Sequence, residues 1–378
     1  MKQEIGLYIH IPFCESKCYY CSFISFPLLK EERTQFYFRA LEKEIELYQG
    51  GDRHIKTIYI GGGTPSVLES NIIIAILNKC FRSFNIKNLI EITIEVNPKT
   101  LTKEKLRVYM DVGINRISLG AQSFNNQILS FLGRRHQGED IASATHLCQE
   151  AGMENINLDL IFALPGQDLL FWKKDLIAAL KLKPNHIALY DLSIERRSQF
   201  YKRMKQGESF TVAEEVEIAM YKAARQILSK QGYNHYEISN FAKQGKESQH
   251  NLIYWQNKEY LGLGVGAISY LNGVRYGNSK SLKKYITGYL NEQPIYVNRE
   301  NLSAKRALVE TLILNLRMLK VGASLKDLKK RFSEVEFDFL DRKIGEAIDQ
   351  GLVRKKGEQI LLTEKGILLF DYLAATLL

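Results

Sequence analysis

Three of the five cysteines, Cys14, Cys18 and Cys21, stand in the pattern C-x3-C-x2-C at the end of the run Tyr8-Ile9-His10-Ile11-Pro12-Phe13. Thiolates are soft ligands, and spacings this short let one loop wrap a single metal centre. Three of them cover three corners of a 4Fe-4S cubane and leave the fourth iron open. Zinc is the rival, since it also accepts sulfur, but it needs a fourth ligand from elsewhere in the chain. His10 is too near in sequence to serve comfortably. A second feature is Gly61-Gly62-Gly63-Thr64-Pro65-Ser66. Three missing β-carbons let a ligand reach the backbone, although a tight strand-to-helix turn alone would also use glycine. No Gly-Lys-Ser follows and no G-x-G-x-x-G is present, so neither a phosphate loop nor a dinucleotide site is indicated.

An iron with an open position beside bare backbone suits a small chelator carrying an amine and a carboxylate. S-adenosylmethionine has both, and one electron from a reduced cluster cleaves its sulfonium to a deoxyadenosyl radical. On this reading Gly62, Gly63 and Thr64 meet the amino end, and Glu95 contacts the same group. Asp159 or Gln122 hydrogen-bonds the ribose, and Arg134 offers a bidentate fork to the carboxylate.

Such residues need a scaffold that gathers them. Residues 5–11 read as a strand delivering the cysteine loop, 31–49 as a helix, and 54–60 as a strand running into the glycines. Ser66 is placed to cap a helix over 67–81. Further strands are expected at 89–96, 113–121, 154–160 and 186–192, with helical patterns at 125–132, 138–151 and 169–180. Apolar strands alternating with helices predict a parallel α/β architecture buried on both faces. The number of units favours an open, partial (β/α)6 barrel over a closed eight-stranded one. Polar residues at strand C-terminal ends mark the reaction face of such folds. Glu95, Gln122 and Asp159 are expected there, beside the cysteine loop.

Beyond residue 195 the alternation stops. Residues 211–230 form an amphipathic helix, followed by a polar and aromatic tract at 233–241, His250-Asn251-Leu252-Ile253-Tyr254-Trp255, and the glycines Gly262, Gly264 and Gly266. These segments could line an apolar slot, or they could be strands flanking the barrel edge with their His and Tyr hydrogen-bonded into the core. Residues 289–301 read as a linker. Helices over 303–318, 325–332 and 337–350, then a short hairpin, suggest a winged-helix-like module. The expected domains are therefore 1–200, 201–290 and 291–378. Leu352, Ile360 and Leu362 look like packing residues, so the module is not read as binding nucleic acid.

Composition sets the frame. With 45% apolar and 25% charged residues, the 378-residue chain is globular and not disordered. The net charge of +10 is spread along the chain with no basic tail, which fits an anionic small molecule or solubility as well as a nucleic acid. No apolar run reaches the ~18–20 residues of a membrane span. The start lacks a signal sequence, and the clustered, odd-numbered cysteines point to a reducing cytoplasm. Cys80 and Cys148 sit in apolar helical patterns and are expected to be buried thiols.

The cysteine motif with the Gly-Gly-Gly-Thr-Pro segment resembles the radical S-adenosylmethionine superfamily, which makes the cluster the favoured metal centre. More closely, Tyr8 to Cys14, Gly120-Ala121-Gln122-Ser123-Phe124, Leu132-Gly133-Arg134-x-His136 and Asn157-x-Asp159-Leu160-Ile161-Phe162-x-Leu164-Pro165-Gly166-Gln167 resemble the branch holding anaerobic coproporphyrinogen III oxidase and the heme chaperone (HemW) family. The resemblance runs from about residue 5 to the C-terminus and adds Tyr8 to the cofactor-binding set. Phe23 stands where the oxidases carry a fourth cysteine, and the cysteine loop begins almost at Met1, both as in the chaperones. His250, Asn251, Tyr254 and Trp255 match a chaperone motif tied to heme, with His250 as the leading heme-associated residue. The resemblance implies heme binding, a possible homodimer when the cluster is present, and delivery of heme to respiratory membrane proteins from the cytoplasm, transiently at the inner face of the membrane. The alternative it carries is an oxygen-independent coproporphyrinogen III oxidase. Two departures stand out: Ile268 replaces a usual His, and Arg196-Arg197-Ser198 replaces Pro-Gly-Thr.

Overall fold

In the computed structural model, described for residues 4–28, 31–51, 53–86 and 88–378 with the side chains of 31–33 left aside, six parallel strands lie side by side in chain order. They are β1 (Glu4–Ile11), β2 (His54–Gly62), β3 (Glu91–Val96), β4 (Arg116–Gln122), β5 (Ile156–Phe162) and β6 (His186–Asp191). Their runs are nearly continuously apolar because helices cover the outer face while side chains fill the inner one. Ile58 and Ile60 are fully buried, as are Leu158 and Leu160. The intervening helices include Glu31–Leu47, Ser70–Ser83, Lys103–Asp111, Gly138–Glu150 and Leu169–Lys181. Cys80 and Cys148 are buried thiols within two of them.

The sheet continues past both ends of this series to twelve strands. Tyr260–Leu263 adds in parallel to the free edge of β1, followed by the antiparallel strands Ile268–Leu271, Val274–Asn278 and Tyr296–Asn301. Asn240–Ala242 and Asn234–Glu237 extend the β6 side. The result is a mixed α/β fold with a partial, barrel-like sheet. One buried carboxylate fastens the late strands to the first helix. Glu44 accepts from the Gly264 amide (2.7 Å), the Asn278 side-chain amide and the hydroxyls of Tyr285 (2.6 Å) and Tyr289 (2.9 Å). Four donors satisfy a carboxylate that would otherwise be costly to bury.

The C-terminal segment has its own core, built by the helices Ala304–Leu316, Leu325–Arg331, Asp338–Asp349 and Phe370–Leu377 with a three-stranded antiparallel sheet. It meets the large sheet through Arg317, whose guanidinium lies 4.3 Å from the Trp255 ring and 3.2 Å from the fully buried Glu237.

Two expectations are corrected here. Residues 289–301 are not a linker: after the helix Leu282–Leu290, Tyr296–Asn301 pairs with Val274–Asn278 at the sheet edge. Ser66 does not cap a helix. It lies in a short 3-10 turn, Pro65–Val67, and the helix starts later at Ser70. Its buried hydroxyl bonds Thr100 at 2.5 Å and accepts the Asn97 amide at 3.1 Å, which ties the lip after β3 to the lip after β2.

Candidate functional site

The cysteine loop is anchored along its length. Phe13–Cys14 pairs in parallel with Phe26–Pro27, and the Tyr19 amide donates to the Leu132 carbonyl at 3.0 Å. His10 fixes the loop from beneath. Its Nε2 lies 2.7 Å from the Ile24 carbonyl, which can only accept, so the proton is on Nε2 and Nδ1 accepts from the Tyr8 hydroxyl at 2.9 Å. Burial pushes the His10 imidazole down to about 4, so it stays neutral.

The triple glycine is packed by the protein itself. A β-carbon on Gly61 would fall 2.7 Å from Glu95 Oε1, and one on Gly63 would fall 2.6 Å from the Phe13 carbonyl oxygen. Gly62 has φ +114° and lies against the His10 ring, which a side chain would displace. The amides are occupied as well: Gly62 donates to Glu95 Oε2 (2.9 Å), Gly63 to the Ile11 carbonyl (2.8 Å) and Thr64 to the Phe13 carbonyl (2.8 Å). The glycines thus let two strand ends and a carboxylate converge, beyond the open backbone that their composition suggests.

A cavity of about 380 Å³ lies at the C-terminal ends of the strands. Ten expected residues line it together: Cys14, Cys18, Cys21, Gly62, Gly63, Thr64, Glu95, Gln122, Arg134 and Asp159. Gln122 reaches it through a register shift between β4 and β5, with φ +69° at a non-glycine residue. Such bulges re-aim side chains near functional sites. Asp159 lies in the middle of β5 and not at its end, and its side chain still faces the cavity. It accepts from Ser118 (3.2 Å) and Asn157 (2.8 Å). The Asn157 side-chain oxygen is held by His186 Nδ1 at 2.6 Å, and the Nε2 of that imidazole meets the Tyr236 hydroxyl at 2.8 Å.

Arg134 is oriented by three contacts. One guanidinium nitrogen donates to the Gly120 carbonyl at 2.7 Å, another lies 3.5 Å from Cys18 Sγ, and Nε donates to His136 Nδ1 at 3.3 Å. His136 in turn donates from Nε2 to the Ala121 carbonyl at 3.1 Å. Electrostatics follow burial. Desolvation raises the Cys14 thiol and pushes Cys21 up to about 11, while the Thr64 hydroxyl donates to Cys14 Sγ at 3.6 Å. Glu95 is pushed up to about 7 by desolvation, offset by its bonds to Gly62 and Tyr59, with Asp159 raising it further. Among the described residues, no three His, Cys, Asp or Glu side chains are grouped as a ready single-ion site. Three soft thiols facing one cavity beside a guanidinium do suit a cluster of several irons.

Two expected residues do not line the cavity, Tyr8 and His250. His250 is 1% exposed, with Nδ1 2.7 Å from Thr57 Oγ1 and Nε2 2.9 Å from the Tyr254 hydroxyl. Sequence reasoning missed Tyr59, whose hydroxyl donates to Glu95 Oε1 at 2.9 Å. Its signal was position: it precedes Gly61 by two in a strand and therefore shares its face. Of the departures, Ile268 is 46% exposed at the start of its strand. Ser198 is buried and caps the helix Gln199–Lys205 by accepting the Tyr201 amide at 3.1 Å. The replaced triplet still ends on a capping hydroxyl.

Comparison with known proteins follows the same division. Residues 8–170 match the Radical SAM superfamily model, and residues 302–369 match the HemN C-terminal domain model. The chain is similar to the heme chaperone HemW of Lactococcus lactis, 38% identical over 366 residues, covering 97% of this chain and 95% of that protein. It is also similar to the heme chaperone HemW of Bacillus subtilis, 35% identical over 369 residues and covering 96% of each. Among solved structures, coproporphyrinogen III oxidase from Escherichia coli, a radical SAM enzyme, superposes with a TM-score of 0.87 at 22% identity. That match covers 100% of this chain and 90% of the other, a likeness of fold.

Proposed function

The chain belongs to the heme chaperone HemW family of the radical SAM superfamily, and from that premise we propose that it binds heme and passes it to heme-requiring respiratory membrane proteins. What supports this most is the similarity to heme chaperones along nearly the whole chain; the cavity that joins three thiols, a carboxylate held by Tyr59 and Gly62, and an oriented guanidinium supports the cluster and cofactor within that reading. Cys14, Cys18 and Cys21 would ligate a 4Fe-4S cluster, and S-adenosylmethionine would take its open corner. When bound, the cluster supplies one electron to the sulfonium. The amides of Gly62, Gly63 and Thr64 already donate within the protein, and the N–H groups of an amine bound there would be met by acceptors, Glu95 foremost. Arg134 suits the carboxylate, and Asp159 and Gln122 suit the ribose hydroxyls.

We read the partial sheet as a (β/α)6 barrel and the C-terminal segment as a winged-helix-like module that packs against it. No helix among the described residues is long and apolar enough to cross a membrane. Delivery would then occur from the cytoplasm at the membrane face, by a homodimer when the cluster is present. Phe23, 65% exposed at the cavity, occupies the fourth-cysteine position of the oxidases. Anaerobic reconstitution with iron and sulfide, followed by S-adenosylmethionine and coproporphyrinogen III, tests the reading. The expected result is a Soret band on heme addition and no protoporphyrinogen; turnover to protoporphyrinogen would replace the chaperone with the oxidase.

A further inference from the structure

The strand register sets three polar side chains abreast across neighbouring strands. Ser118 on β4 pairs with Asn157 on β5, and Asn157 pairs with His186 on β6. All three are almost wholly buried. Asp159 stands two residues further along β5, on the same face as Asn157, and lines the cavity. The Asn157 amide nitrogen donates to Ser118 Oγ and to Asp159 Oδ1, both at 2.8 Å, and the Ser118 hydroxyl donates to Asp159 Oδ2 at 3.2 Å. Each carboxylate oxygen therefore accepts one bond from its own sheet and keeps its remaining acceptor capacity for the cavity.

This arrangement needs the Asn157 amide one way round. Turned over, it presents its oxygen to a carboxylate that can only accept. His186 blocks that turn, because its Nδ1 lies 2.6 Å from the Asn157 oxygen and donates to it. The tautomer is set from the far side of the ring. The Tyr236 hydroxyl accepts the Ser248 amide at 3.3 Å and directs its own proton to His186 Nε2 at 2.8 Å, which leaves the ring proton on Nδ1. Burial, with the Arg116 charge adding to it, holds this imidazole well below its ordinary pKa, so it stays neutral with one donor and one acceptor.

We propose that His186 is a positioning residue for Asp159, acting through the side-chain amide of Asn157, an inference that rests on the reading of Asp159 as a contact for the ribose hydroxyls of S-adenosylmethionine. Without the imidazole donor, the Asn157 oxygen is buried and unpaired, which favours turning the amide over. Asp159 then loses a donor from Oδ1 and gains a repelling oxygen beside it. A carboxylate no longer fixed in its plane cannot hold two vicinal hydroxyls in register.

The test uses the full chain with its cluster reconstituted and left oxidised, so that the cofactor is not cleaved. Equilibrium dialysis gives the affinities for S-adenosylmethionine and for its 2′,3′-dideoxy analogue, and their ratio isolates the ribose hydroxyls. In the unaltered chain that ratio is expected to be about tenfold or more. In His186→Phe, which keeps a ring but no donor, the ratio should fall to about threefold, with S-adenosylmethionine weakened and the dideoxy analogue bound as before. A general packing defect would weaken both ligands alike and leave the ratio standing, which overturns the proposal. His186→Asn, whose amide nitrogen can stand where Nδ1 stood, should restore most of the ratio. Tyr236→Phe removes the hydroxyl that fixes the tautomer and should lower the ratio in the same direction, and it decides the matter if His186→Phe does not fold. Asp159→Asn is the control on the underlying reading: a full ratio in that variant removes Asp159 from the ribose and the proposal with it. A ratio lowered in Asp159→Asn but full in the His186 and Tyr236 variants overturns the positioning role alone.

Discussion

Arg134 and Cys18 meet at 3.5 Å across the cavity, guanidinium nitrogen to sulfur, while a second nitrogen of the same guanidinium donates to the Gly120 carbonyl at 2.7 Å. A planar fork can serve a strand end and a thiol sulfur at once; a lysine ammonium on a flexible stem cannot. Arg134→Lys is therefore expected to assemble a cluster normally but to bind S-adenosylmethionine at least about tenfold more weakly, ~1.4 kcal/mol, in equilibrium dialysis against reconstituted protein. Full affinity in this variant would remove Arg134 from the cofactor site.

Glu95 gives the site a pH dependence with a definite sign. Its ionised form is the stronger acceptor for the N–H groups of the amine, and burial places its titration at about 7. S-adenosylmethionine affinity should therefore rise through neutrality and level off above it, with roughly tenfold loss about one pH unit below the midpoint. Apoprotein stability runs the other way. The folded state holds this proton more tightly than the unfolded one, so the Glu95 contribution is present below about 4.5 and lost as pH rises through about 7. Glu95→Gln should abolish both dependences, measured by titration with S-adenosylmethionine and by denaturant midpoints across pH.

Arg317 joins the two cores, and its loss should be felt as stability. Arg317→Ala leaves Glu237, fully buried, with only the Asn240 side chain and the Ser239 amide as donors, and uncovers the Trp255 ring. Removing one partner of a buried pair costs about 3–5 kcal/mol. The denaturation midpoint should fall accordingly, and Glu237→Gln in the same chain should restore much of it. A change within about 0.5 kcal/mol would mean that the two cores are held elsewhere.

The alternation of β1 to β6 with helices was readable because burial on both faces leaves long apolar runs, and the gathering of the cysteines, Gly62, Gly63 and Arg134 about one cavity was readable because segments that follow parallel strands share one end of the sheet. Residues whose role depends on a distant partner were not readable. Tyr59 passes for one more aromatic in an apolar strand until Glu95 is seen beside it. Ser66 looks like a cap, since Ser before an apolar run usually is one, but Thr100 and Asn97 claim its hydroxyl. Tyr296–Asn301, rich in Asn, Arg and Glu, follows Pro294 as a linker would, and only pairing with Val274–Asn278 makes it an edge strand. Edge strands tolerate such polarity because one side is wet. The site of His250 was equally hidden, because the motif around it says nothing about which way its helix packs.

The fastening of the first helix by Glu44 also dictates an order of events during synthesis. The cysteine loop leaves the ribosome early, yet β1 acquires its outer neighbour, Tyr260–Leu263, only when most of the chain has followed, and Glu44 waits equally long for Gly264, Asn278, Tyr285 and Tyr289. Contacts this far apart form late, and an unpaired strand edge is adhesive in the meantime. Iron and sulfide loaded onto a nascent chain would meet thiols on an unsupported margin. A cluster would find its loop supported only after Tyr289 has been made, and a chain cut short before residue 260 is expected to be aggregation-prone and to hold no cluster.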